Sequence, residues 1–237
     1  MAAFDLDVAA VEDAISDRTC AIVMSHPANP TGRSYAAGAL EALAGALRRS
    51  GREITLIADE AHRDFTARGE YRSASGFVDR TLIVYSFGKY HFMQGQRIGY
   101  AAVSPRHPER RAASEELVRW ARVTGVATPT AVMQRALPEL LALRHDQSWL
   151  LEWRRRLCDE LSAAGYAVVE PDATMFIYVG TPPPYEDLDF VTELAAKGVL
   201  VLPASVFHHQ GYFRLSLTGS ERMLTRATPI LTQLGPG

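Results

Sequence analysis

Cysteine is nearly missing from this 237-residue chain: Cys20 and Cys158 are its only two, and neither sits in a CxxC or beside other metal-ligating residues. That excludes a disulfide scaffold and a cysteine-ligated metal centre, and the apolar patterns around both thiols point to the core. An excess of charge of either sign is missing too. With 25 Lys and Arg against 27 Asp and Glu, the net charge of -2 offers no bulk attraction to nucleic acid or an anionic membrane. No uninterrupted apolar run reaches the ~18 residues of a membrane span. The chain starts with acids rather than with a basic stretch followed by an apolar one, so no signal peptide is expected. Repeats and low-complexity tracts are absent as well. The expectation is a soluble cytoplasmic protein that acts on small molecules or other proteins.

What is present is apolar sequence, 47% of the chain, enough for a large core. CAIVMS (20–25), ITLIAD (54–59), TLIVYSF (81–87) and IGYAAVS (98–104) read as buried strands. Between the first two, residues 35–49 repeat Leu40, Leu43 and Leu47 on one helical face. Continuous apolar strands alternating with amphipathic helices predict a parallel sheet covered by helices on both faces. Further helices are expected at 8–15, 109–123, 131–143 and 149–164, the arginines of WRRRL forming a solvated face of the last. YAVVE, TMFIYV, a helix at 188–197, VLVLP, YFRLSL and a final helix after Thr218 read as an α+β segment. The domain boundary is expected inside the long helix, giving a first domain at 1–150 and a second at 151–237.

Ligands of parallel sheets gather at the carboxyl ends of the strands. Those ends present Asn29 in HPANPTG, Asp59 in IADEAH, and Ser86 and Lys89 in SFGK, with Arg97 leading into the fourth strand. An amide, a carboxylate, a hydroxyl, an amine and a guanidinium on one rim is more than a packed core needs. His26, His91, His208 and His209 lack metal spacing with any acid cluster and read as ordinary loop residues.

NPTG (29–32), DEAH (59–62), SFGK (86–89), GQRIGY (95–100) and YFRLSL (212–217) occur together in the order in which they occur in the pyridoxal 5'-phosphate (PLP) aminotransferases of fold type I, class I/II, and the chain resembles that family over nearly its whole length. The resemblance implies an α/β fold of the type I PLP-transferase kind, with a partial large-domain sheet and a C-terminal α+β small domain. It implies transfer of an amino group between an α-amino acid and a 2-oxo acid. Lys89 is then the amine that bonds to the cofactor aldehyde and later moves the proton from the substrate Cα. Asp59 pairs with the pyridine nitrogen, Ser86 and Arg97 hold the phosphate, Asn29 meets both the cofactor and the substrate carboxylate, and Arg214 clamps that carboxylate. A PLP-dependent lyase or cyclase of the same fold, or a non-catalytic module, is the alternative.

Departures from the family pattern are visible. His62 stands where a tyrosine meeting the cofactor is most common, Gly88 where serine is frequent, and Ala204 where glycine is common. The family's NPTG motif comes well into its chain, after a phosphate-binding helix N-terminus and a ring-stacking aromatic, whereas here Asn29 comes almost at once. A split enzyme with a separate N-terminal half, a truncated reading of a longer gene and an inactive paralogue are the three explanations. A homodimer, or a complex with that separate half, is expected, because CAIVMS and IGYAAVS become open sheet edges.

Overall fold

The computed structural model describes residues 4–66, 71–126 and 128–236. The chain divides into two compact units, one formed by Asp5–Pro27 with Tyr35–His145, the other by Ala28–Ser34 with the chain from Asp146 onward and Phe4.

The first unit is built on a four-stranded sheet in the order β1 (Ala21–Ser25), β2 (Thr55–Asp59), β3 (Thr81–Ser86), β4 (Gly99–Val103). β1, β2 and β3 are parallel. β4 runs antiparallel to β3, against the all-parallel expectation. The reason is the connection: a parallel return needs a crossover, usually helical, and residues 87–98 supply only the one-turn helix α3 (Phe87–Tyr90) and a 3₁₀ turn. As expected, β1 and β4 are the outer strands.

Helix α1 (Val8–Ala14) is capped by Asp7 and tied to α2 (Ala37–Arg49) by a two-pronged Arg49–Glu12 pair, 2.7 and 2.9 Å. Leu40, Leu43, Ala44 and Leu47 follow the i, i+3, i+4, i+7 spacing of a buried stripe and pack on Met24, Leu56 and Ala58. The β2–β3 connection lies on this same face, for Ala74 and Val78 join that cluster. Both crossovers therefore cover one face of the sheet, and on the other Val23 stays 74% and Val84 41% exposed. Helices α4 (Arg110–Val123) and α5 (Ala131–Ala142) follow β4, and Met133 of α5 packs on Tyr85, Phe87 and Ile98.

The second unit opens with α6 (Ser148–Ala163) and holds an antiparallel sheet, β5 (Val168–Val169), β6 (Phe176–Gly180), β8 (Tyr212–Ser216) and β7 (Leu202–Pro203) in that spatial order, with α7 (Asp187–Ala196) and α8 (Glu221–Gln233). Ile177, Val179, Phe190, Leu194, Phe213 and Leu217 are buried in it. The chain enters this unit at Asp146, just ahead of α6. Ala28–Ser34, which a linear division at residue 150 assigns to the first domain, belongs here because its backbone is docked: Gly32 O accepts from Asp172 N and Ala173 N at 3.0 and 2.8 Å, and Arg33 pairs with Asp172 at 2.9 Å. Gly32 sits at φ +74°, and a Cβ there would meet Pro171, so glycine is required twice over.

Three burial expectations change. Cys20 is exposed, because it precedes the open edge strand β1, while burial pushes the Cys158 thiol up to about 12. In WRRRL only Arg155 and Arg156 are solvated, in i,i+4 pairs with Asp159 and Glu160. Arg154 is buried and donates to the Thr174 carbonyl, as its place on the Leu150–Leu157–Leu161 face of α6 dictates. His26 is buried rather than a loop residue, its ring stacked on Tyr35 at 5.4 Å with Tyr71 at 5.0 Å.

Candidate active site

In the first unit the register places the polar residues. Val23 pairs with Ile57, Asp59 with Val84, Val84 with Ala101 and Ser86 with Gly99, so Asp59 and Ser86 share the face opposite α2, at the carboxyl ends of neighbouring strands. Asp59 is half-buried, and its Oδ1 accepts from Ala61 N at 3.0 Å, which fixes the turn after β2. Lys89, half-buried, rides on α3 directly beyond Ser86.

Two glycines explain how tightly this turn is folded. A Cβ on Gly88 would lie 3.1 Å from Gln94 Cα and 3.3 Å from Met93 O, so the residue ahead of Lys89 leaves little room for a side chain. A Cβ on Gly99 would collide with Tyr85 O. Between them Arg97 is exposed, held by a bond from its guanidinium to Gln94 O at 3.2 Å, and its φ of +46° is left-handed. A non-glycine residue held in that region is the kind of local strain that functional sites retain.

His62 is buried after β2, its ring 6.2 Å from that of Phe65. Next to it Glu60, fully buried, accepts from Ser73 Oγ at 2.5 Å and lies 3.5 Å from Arg63. Arg63 also stacks over the Tyr85 ring at 4.2 Å, and the Tyr85 hydroxyl donates to Asp64 at 2.6 Å. Burial and the Asp64 carboxylate together push the Tyr85 hydroxyl well above its ordinary pKa, so it stays a donor. Neither Arg63 nor Tyr85 carries a motif signal in the sequence. Their contact appears only when the chain is folded.

In the second unit Asn29 and Arg214 come together although 185 residues separate them: Arg214 donates to Asn29 Oδ1 at 2.6 Å. The guanidinium also lies over the rings of Phe176 at 3.9 Å and Phe207 at 5.0 Å. Burial lowers its pKa. Its Nε is buried with no hydrogen-bond partner, and no acid pairs with Arg214 among the described residues. A half-buried cation held by an amide and two rings, with no paired carboxylate among the described residues, can take up an anion. Ala204, buried at the start of the turn 204–207, has no left-handed φ, so alanine fits where glycine is common.

The match to known proteins decides the family. Residues 2–230 match the family described as aminotransferase class I and II. The chain belongs to that family. It is 31% identical over 229 residues to the aspartate/prephenate aminotransferase of Thermus thermophilus, covering 92% of this chain and 57% of that one. It is 27% identical over 227 residues to a probable N-acetyl-LL-diaminopimelate aminotransferase of Bacillus subtilis, covering 92% and 56%. A crystal structure of an aminotransferase from Eubacterium rectale superposes with a TM-score of 0.88 at 24% identity, over 97% of this chain and 58% of that one, which shows the shared fold. The chain thus spans a little more than half the length of these relatives. Members of this family use PLP. The donor set of the first unit fits that cofactor: an amine for its aldehyde, a carboxylate for its ring nitrogen, and a hydroxyl with a guanidinium for its phosphate. Among the described residues no group of three or more His, Cys, Asp or Glu could hold a metal ion, and no helix is long and apolar enough to cross a membrane.

Proposed function

We propose that the chain serves a PLP-dependent aminotransferase that moves an amino group between an α-amino acid and a 2-oxo acid. The observation that carries the substrate class is Arg214, a part-buried guanidinium with an amide and two rings around it and, among the described residues, no acid to neutralise it. Both substrates of a transamination bear the carboxylate it lacks.

In this reading Lys89 holds the cofactor, Asp59 binds its ring nitrogen, Ser86 and Arg97 bind its phosphate, and Asn29 serves both cofactor and substrate. His62 replaces the more common tyrosine as a donor to the cofactor. When bound, the cofactor supplies an electron-withdrawing ring for the electron pair left as the substrate Cα loses its proton. Lys89 takes that proton and needs a neutral amine to do so. Arg214 and Asn29 meanwhile fix the carboxylate, and with it the orientation of the Cα–H bond. The names of the relatives, aspartate/prephenate and N-acetyl-LL-diaminopimelate aminotransferase, differ in substrate, so the proposal stops at the α-amino acid class.

The quaternary proposal is a homodimer, or a complex with a separate N-terminal half. The open edges β1 and β4 and the exposed Val23 and Val84 support it. A cytoplasmic location is proposed on the two unbridged thiols.

The test is chemical trapping. PLP followed by borohydride should leave a stable cofactor adduct on Lys89, detectable by peptide mass spectrometry and absent from Lys89→Ala. An amino acid added before the reductant should suppress the adduct, and a 2-oxo acid should restore it. An adduct that forms at Lys89 but ignores every amino acid points to a non-catalytic module. No adduct at Lys89, with a complementing N-terminal half supplied, removes the enzyme reading.

A further inference from the structure

His91 and His145 lie 54 positions apart, in the same unit, and their rings meet edge to face with Nδ1 of His91 2.9 Å from Nε2 of His145. His91 closes the one-turn helix that carries Lys89, its N–H donating to Phe87 O at 3.2 Å. His145 ends the segment after α5, and its own N–H donates to the hydroxyl of Tyr90, the residue between Lys89 and His91, at 3.1 Å. Two contacts therefore tie the Lys89 turn to His145. We propose that His91 and His145 form a proton-sensitive clasp that positions the Lys89 turn, closed while the pair carries at most one added proton and open once it carries two.

The chemistry follows from the bond. At 2.9 Å one ring nitrogen donates and the other accepts. A first added proton can go to the far nitrogen of the accepting-capable pair's donor ring, leaving the shared hydrogen bond in place. A second puts N–H groups face to face with two positive charges, and the bond is lost. Asp64 is the acid facing His91, but it already accepts the Tyr85 hydroxyl at 2.6 Å and lies 3.9 Å from Arg63. Arg144 and Asp146 flank His145, turned to Leu141 O and Ser148 N. Burial, then His145, lower the pKa of His91 below its ordinary 6.5, with Asp64 opposing. The neutral ring is the one the fold favours, so acid opens the clasp.

Amide hydrogen exchange on the 237-residue chain reads both ends. Corrected for intrinsic rates, protection of the amides at positions 91 and 145 should fall about 10-fold or more between roughly pH 8 and pH 4, because the second proton of a coupled pair binds well below the first. In His91→Asn it should stay constant, because an amide at the Nδ1 position can turn to donate or accept whichever way His145 is protonated. In His91→Phe the amide at 145 should be weakly protected at both pH values. An equal pH response in the native chain and His91→Asn, or full protection at 145 in His91→Phe, overturns the clasp. Loss confined to position 145 overturns its effect on the Lys89 turn. The meaning for catalysis rests on the role of Lys89 proposed above, but the exchange measurement needs no cofactor, so the two can fail separately.

Discussion

Replacing Arg214 by methionine separates a carboxylate receptor from a structural arginine. Asn29 occupies one terminal nitrogen of the guanidinium and Nε is buried, which leaves the other terminal nitrogen for a ligand carboxylate. Each charge-assisted hydrogen bond contributes about 1.5–3 kcal/mol. Losing that bond costs about 1.5–3 kcal/mol, and at about 1.4 kcal/mol per decade a 2-oxo acid should bind roughly 10–10²-fold more weakly. Stability should hardly respond. The variant loses cation–π contact with Phe176 and Phe207 but also relieves a half-buried charge that no acid balances among the described residues. The exposed Asn29 can turn to water. The net change in unfolding free energy should stay within about 1 kcal/mol. Calorimetric titration with 2-oxoglutarate and urea unfolding measure the two quantities. Unchanged affinity, or a stability loss above about 3 kcal/mol, would refute the receptor and show that Arg214 is a structural contact.

Two further outcomes follow from other parts of the fold. His26 is locked as a neutral ring, Nε2 donating to Arg72 O at 3.1 Å while Nδ1 accepts from Tyr35 N at 3.3 Å, and burial lowers its pKa against the raising effect of that carbonyl. The unfolded chain therefore binds this proton more readily than the folded one, and the stability contributed by His26 is lost as pH falls below about 6.5, with a slope of at most about 1.4 kcal/mol per pH unit. Urea unfolding across that window should show the slope, and His26→Gln should reduce it; an unchanged slope in the variant sinks the assignment. The open strands β1 and β4 predict that the chain by itself associates or aggregates and holds PLP poorly. Analytical ultracentrifugation with the visible absorbance of bound PLP checks this, and a monodisperse monomer that binds PLP tightly would contradict it.

The sequence by itself determined the strands, the family and the residues worth asking about. Apolar runs such as TLIVYS and the Leu40–Leu43–Leu47 stripe are local, and period alone marks them as strand and helix. Tertiary structure decided the rest, because contacts between residues distant in the chain depend on the path between them. The run GYAAV reads the same in either direction, and only the short link through α3 turns β4 antiparallel. Nothing in NPTG states that Gly32 O will be held by Asp172 and Ala173, yet that docking is what groups Asn29 with Arg214. His26 and His91 look alike as solitary histidines in loops. Folding buries the first between two tyrosines and brings the second within 2.9 Å of His145, and the difference lies wholly in which partners the chain carries to them.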